Sequence, residues 1–384
     1  MSAGTELLPT APEIPADGVL FHVGVHKTGT TALQAALADA REDLATAGIL
    51  YPGNRSAQHQ AALAILGRTW GWKDNGGWAT PMSRYDKFVE QVTSHRGRVV
   101  VSSEFFCETD AETSMKVAGD LGRDRVKVVI TLRNLGNLLP SSWQQYLKYG
   151  IRAPYENWLH DVFDNPQGST ITPTFWRRHD HGAVVQRWAE AVGAENVTVM
   201  VLEGVDRRSN FVGFAQMLGI DDEMLTSRMN LTSNRSMTAA EAEFLRQLNV
   251  VAKQEMTWAE YVKYIRNGVA LGLVEGREPD ADEPRLHTPD WALDAAVEHG
   301  NEDADTISSL GVNVLGNIDA LRARATTPGE AHGKVVIPTD VAVHAILATI
   351  KAAEAPVTSK DRARGIVTRT RAVGRKLKPG SKKK

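Results

Sequence analysis

The sequence predicts an α/β fold of three layers, a mostly parallel central sheet between helices, with further helices toward the C-terminus. Two observations carry that prediction. Short apolar runs at 19–25 (VLFHVGV), 99–101, 126–132 and 197–202 have the length and composition of strands buried on both faces, and stretches of helical spacing lie between them, around 60–66, 138–149 and 184–192. Each run also stops at polar residues, which places those residues at the carboxyl edge of the sheet, where folds of this class bind ligands.

The first run leads through a glycine-containing turn into a helix from Thr30, with Leu33, Ala36 and Leu37 at helical spacing. The second leads into Ser102, Ser103 and Glu104, the third into Arg133, and the fourth into Glu203. Past residue 235 the pattern is helical, over 238–251, 258–266, 303–321 and 342–353, with loops or linkers at 275–283 and 326–333. The expected organisation is a flexible lead at 1–18, an α/β core at 19–255, a helical extension packed on it at 256–355, and a basic flexible tail at 356–384.

With 384 residues, 42% of them hydrophobic and 23% charged, the chain has the composition of an ordinary globular protein, not of a disordered, collagenous or coiled-coil one. The single cysteine, Cys107, excludes an intrachain disulfide and a Cys-rich metal cluster, and suits a reducing compartment. Residues 1–18 do not read as a secretory signal and no uninterrupted apolar run reaches about 18 residues, so the expectation is a cytoplasmic protein. A net charge of −2 conceals an asymmetry: residues 351–384 hold twelve Lys or Arg against Glu354 and Asp361, a net +10, which leaves −12 on the rest. Two readings of that tail stay open, peripheral contact with anionic lipid at the inner membrane surface or a merely solvated end. Nucleic acid is not expected, because no aromatic residues interleave the charges.

Residues 26–31 read HKTGTT between a buried strand and a helix. The glycine lets backbone approach an anion, the helix start offers unpaired N–H groups, and Lys27, Thr28, Thr30 and Thr31 add charge and hydroxyl donors. A nucleotide triphosphatase loop, G-x-x-x-x-G-K-[ST], is the rival reading, since Gly24 and Gly29 have its separation. Thr30, however, stands where that loop has its lysine.

The string Lys27, Thr28, Gly29, Thr30, Thr31 resembles the 5′-phosphosulfate loop of sulfotransferases that use 3′-phosphoadenosine-5′-phosphosulfate (PAPS). Their second signature is an arginine ending a later strand with a serine eight residues on, and Arg133 and Ser141 match that spacing. The resemblance, supported by HKTGTTALQ, LYPG and RWAEAVGAENVTVMVLE, covers roughly 19–252. It departs from the family at Ala32, where many cytosolic members have tryptophan, and in lacking their C-terminal glycine-rich 3′-phosphate loop. Asn234, Arg235 and Ser236 stand in a comparable place and are weaker candidates for that contact.

The resemblance implies a P-loop-like phosphosulfate-binding loop, PAPS as donor, 3′-phosphoadenosine 5′-phosphate (PAP) as product and no metal. It implies in-line transfer of a sulfuryl group, with Lys27 stabilising the leaving phosphate. Glu104 is the expected general base, in the manner of glycan-modifying members; His59 is the rival, and Ser103 a support for donor or base. The acceptor is a small molecule, carbohydrate or glycolipid bearing a hydroxyl or amine. Two further segments are ambiguous: three tryptophans at 67–78 either stack on an acceptor or anchor their loop, and Arg177 and Arg178 either meet an anionic acceptor or are solvated. A kinase or nucleotide hydrolase, and a non-catalytic nucleotide-binding protein, are the alternative functions.

Overall fold

The short apolar runs become strands because Val, Ile and Leu suit a pleated surface covered on both sides. The computed structural model describes residues 6–229, 235–326 and 335–354. Its strands are β1 (Val19–His22), β2 (Thr69–Trp70), β3 (Trp78–Ala79), β4 (Val99–Ser102), β5 (Val126–Leu132), β6 (Val197–Val201) and β7 (Asn313–Leu315). Five form one parallel sheet in the order β4-β1-β5-β6-β7, and β2 and β3 form a small antiparallel hairpin.

Side chains alternate across the sheet, which makes three layers. Phe21, Val101, Val128 and Ile130 face Phe106 and Trp188, the latter from helix His181–Val192. Leu20, Val100, Val129 and Met200 face Leu33 and Leu37 of helix Thr30–Asp39 and Phe214 of helix Ser209–Leu218. A third apolar cluster joins Trp143 of helix Leu135–Leu147 and Leu245 of helix Ala239–Glu255 to Trp258, Tyr261 and Leu273. The chain from Trp258 to Gly276 is continuously helical, with wide π turns over Tyr261–Ala270.

Three expectations change. The run 303–321 is not one helix: helix Asp290–Ser309 ends before Gly311, and the apolar triplet at 313–315 adds β7 beside β6. The stretch 67–78 holds β2 and the start of β3, the two strands of the hairpin. The lead-in, expected to be flexible, is anchored over its described part by the buried Ala11 and Ile14 and by the Ile14 N–H, which donates to Met217 O at 2.9 Å.

Chain order places β1 between β4 and β5, so the connections leaving β1 and β4 run to opposite sides of it. The carboxyl ends of these three strands open one crevice at that reversal.

Candidate functional site

Backbone pairing continues past β1, with the Val23 and Val25 N–H groups donating to Val129 O and Thr131 O at 3.1 and 2.9 Å, and the chain then leaves the sheet. Gly24 has φ 95°, and a Cβ there would lie 2.8 Å from Glu104 Cβ, so the missing side chain lets the end of β4 close on the end of β1. Lys27 has φ 68° and is the one non-glycine with positive φ among the described residues, a conformation that costs about 1–2 kcal/mol. Gly29 caps the ten-residue helix Thr30–Asp39, with no side-chain cap and no acid in the first turn. In its first turn the Ala32 N–H donates to Gly29 O at 3.2 Å, which leaves those of Thr30 and Thr31, at the crevice, without an intrahelical acceptor.

The candidate residues divide according to where their polar atoms point. Thr28 is turned inward: its hydroxyl donates to Val25 O at 2.8 Å and meets Thr131 Oγ1 at 2.7 Å, which braces the loop. Thr30 is buried and Thr31 exposed, and both line the crevice with Lys27 and Gly29. Burial, Lys148 and Arg133 together push the Lys27 ammonium down to about 8, against a raising influence from Glu104. Neither a hydrogen bond nor an ion pair occupies that ammonium among the described residues. Lys148 is likewise lowered, by burial and then Arg266. Arg133 makes a loose ion pair with Glu203, Nε to Oε2 at 3.4 Å, and stays over a third exposed. Ser141, half-buried on the next helix, donates to Leu138 O at 3.0 Å.

Arg235 is committed elsewhere. Its guanidinium donates to both carboxylate oxygens of Glu241 at 2.6 and 2.7 Å and to the carbonyls of Leu273 and Arg277, so it braces the C-terminal helices. Asn234 lies outside the described residues.

Glu104 and His59 come together. Glu104 Oε1 lies 3.8 Å from His59 Nε2, its Oε2 accepts from Gln34 Nε2 at 2.9 Å, and His59 Nδ1 meets Ser103 Oγ at 2.8 Å. Burial alone would raise the Glu104 carboxyl, but His59, His26 and the Gln34 amide outweigh it and hold the pKa below the usual value. Glu104 is therefore a carboxylate at neutral pH.

These groups line a cleft of about 430 Å³ with Trp70, Phe105, Gln145, Tyr149 and Arg266. Trp70 stands edge-on to Phe105 and Tyr149, with the Arg266 guanidinium 5.4 Å from its ring centre. Trp72 and Trp258 pack together, and Trp258 stacks on Tyr261, so Trp72 anchors the hairpin and Trp70 alone of the three tryptophans lines the cleft. Arg266, Tyr149 and Lys148 were not singled out by the sequence. Each sits in an ordinary helical pattern whose only signal is a charge or ring near apolar neighbours. A larger hollow of about 960 Å³ lies elsewhere, lined by Arg41, Arg55, Arg84 and Lys87; it holds neither the loop nor the carboxylate–histidine pair, so the smaller cleft is the candidate site.

Behind the loop, Glu108 is fully buried and pairs with His26 Nε2 at 3.1 Å, with Arg178 Nε at 3.0 Å, and with Arg68. Burial and then Arg178 push His26 well below its usual value, so the ring is neutral. Arg178 consequently faces inward onto Glu108, whereas Arg177 is exposed.

Among the described residues no group of three His, Cys, Asp or Glu side chains could hold a metal ion, and no helix is long and apolar enough to cross a membrane. No family model matches the chain, and comparison with curated proteins finds no match. A sulfotransferase from Alicyclobacillus acidocaldarius is similar in structure over 76% of this chain and 94% of its own, with 16% identity and a TM-score of 0.42.

Proposed function

We propose that the chain is a PAPS-dependent sulfotransferase acting on a hydroxyl acceptor. One observation carries the reading: the unpaired Lys27 ammonium, with Lys148 and Arg133 near it, stands beside an open helix start and within reach of the field of Glu104. Such clustered positive charge suits an anion with more than one phosphate, and the neighbouring carboxylate suits a proton acceptor.

PAPS, when bound, supplies a sulfuryl group attached to a phosphate that is a good leaving group. Lys27 and the N–H groups of Thr30 and Thr31 neutralise charge on that phosphate, and Arg133 with Ser141 holds the 3′-phosphate. Transfer makes a bond from the acceptor oxygen to sulfur and breaks the bond from sulfur to the phosphate oxygen, while Glu104 Oε1 takes the hydroxyl proton. Gln34 fixes the other carboxylate oxygen, and Ser103 orients His59 against the free one. Trp70 and Tyr149 line the cleft with apolar surface suited to a sugar-like acceptor. Thr28 supports the loop from inside and makes no donor contact with its hydroxyl.

Titration calorimetry with PAP, with and without magnesium, tests the donor site. Metal-independent PAP binding that is lost in Lys27→Ala supports the assignment; magnesium-dependent ATP binding without PAP binding overturns it. Extracts incubated with radiolabelled PAPS then identify the acceptor by the molecule that becomes labelled.

A further inference from the structure

The last described helix, Thr339–Glu354, is packed inside out. Its buried face is Val341 and Ala345, and its Ala348 and Ala352 methyls sit against Gly268 and Gly272, where a Cβ at Gly272 would overlap Ala348. Small residues thus draw two helices together. The large aliphatic residues point the other way: Val343 is 47% exposed, Ile346 60%, Leu347 50% and Ile350 48%. Their positions, i, i+3, i+4 and i+7, make a continuous stripe on one helix face. Burial of apolar area favours the reverse arrangement, and among the described residues nothing covers this face, which suits an apolar partner.

Charge selects the partner. The stripe runs into Lys351 and the 351–384 segment of net +10, on a body of net −12. A second copy on the same face would bring two such basic segments together, whereas an anionic bilayer attracts them and takes up aliphatic side chains at its headgroup boundary. A stripe and a basic cluster are also the two signals that together give stable interfacial binding. We propose that helix Thr339–Glu354 lies on an anionic phospholipid surface through Val343, Ile346, Leu347 and Ile350, with the basic tail supplying the electrostatic attraction.

The test is co-sedimentation of the full chain with phosphatidylcholine vesicles, with and without phosphatidylglycerol, alongside I346S/L347S and V343S/I350S. These residues are exposed, so melting curves and PAP binding are expected to stay unchanged. Partition is expected on the anionic vesicles only, to weaken as salt rises from about 0.1 to 0.5 M, and to fall at least about tenfold in each variant although the tail is intact. Equal partition of wild type and variants, equal partition on both vesicle types, no partition at all, or a wild-type dimer that the variants convert to monomer would each overturn it.

Discussion

Lys27 ties the candidate chemistry to a pH signature. Its folded value of about 8 lies below that of an ordinary lysine, because burial and the cations Lys148 and Arg133 disfavour its charge. A bound phosphate restores that charge and raises the value. PAP affinity is therefore expected to be constant from about pH 7, where the phosphates are ionised, to about pH 8 and to fall up to about tenfold per unit above it, and titration calorimetry from about pH 7 to 10 reads this directly. Lys27→Ala should remove the dependence along with most of the affinity. For Glu104, held ionised by His59, His26 and Gln34 against burial, Glu104→Gln should lower kcat by about 10²–10⁴-fold with PAP affinity retained. Equal turnover in the variant would leave a binding protein and no base. The positions of these candidates were partly legible along the chain: Lys27, Arg133 and Glu104 each follow an apolar run. The inward turn of Thr28 was not, since the same hydroxyl serves a phosphate or a carbonyl equally well, and only Val25 and Thr131 decide which.

The strand ends act through their mutual approach. Gly24 is where β1 and β4 close together, and Gly24→Ala would both force an alanine to φ 95° and put its Cβ 2.8 Å from that of Glu104. The expected result is a loss of about 1–3 kcal/mol in thermal stability and a larger loss of turnover than of PAP binding, as the proposed base is displaced. Beneath the loop, Glu108→Ala leaves the Arg178 and Arg68 guanidiniums without their buried carboxylate. A cost of about 3–5 kcal/mol is expected by urea denaturation. Strands β1, β4, β5 and β6 could be read from the sequence because a buried strand declares itself within a few residues. The β7 triplet could not, because its place is given only by the free edge of β6. Arg177 and Arg178 are adjacent and alike in type, yet one is exposed and the other buried on Glu108, a difference that depends on a helix seventy residues away in the chain.

Stability of the assembled layers also depends on pH. Asp303, on helix Asp290–Ser309, accepts from the Gly182 N–H at 2.7 Å, and burial pushes its carboxyl up to about 8. The folded state binds this proton more tightly than the unfolded chain, whose carboxyl titrates near 4. The contribution is thus full in acid and is lost as pH rises from about 4 to about 8. Asp303→Asn keeps an acceptor for Gly182 and removes the titration, so its melting temperature should exceed that of wild type at pH 9 and approach it at pH 5, read by calorimetry. Apolar periodicity along the chain was enough to establish the α/β class, the strand–loop–helix around Lys27 and the charged tail, because backbone geometry translates spacing directly into strands and helices. Folding alone brought Arg266, Tyr149 and Trp70 to one cleft and turned four aliphatic residues of the last helix outward. Those juxtapositions join segments distant in sequence, and close packing, which no local pattern encodes, selects among the many faces such segments could present.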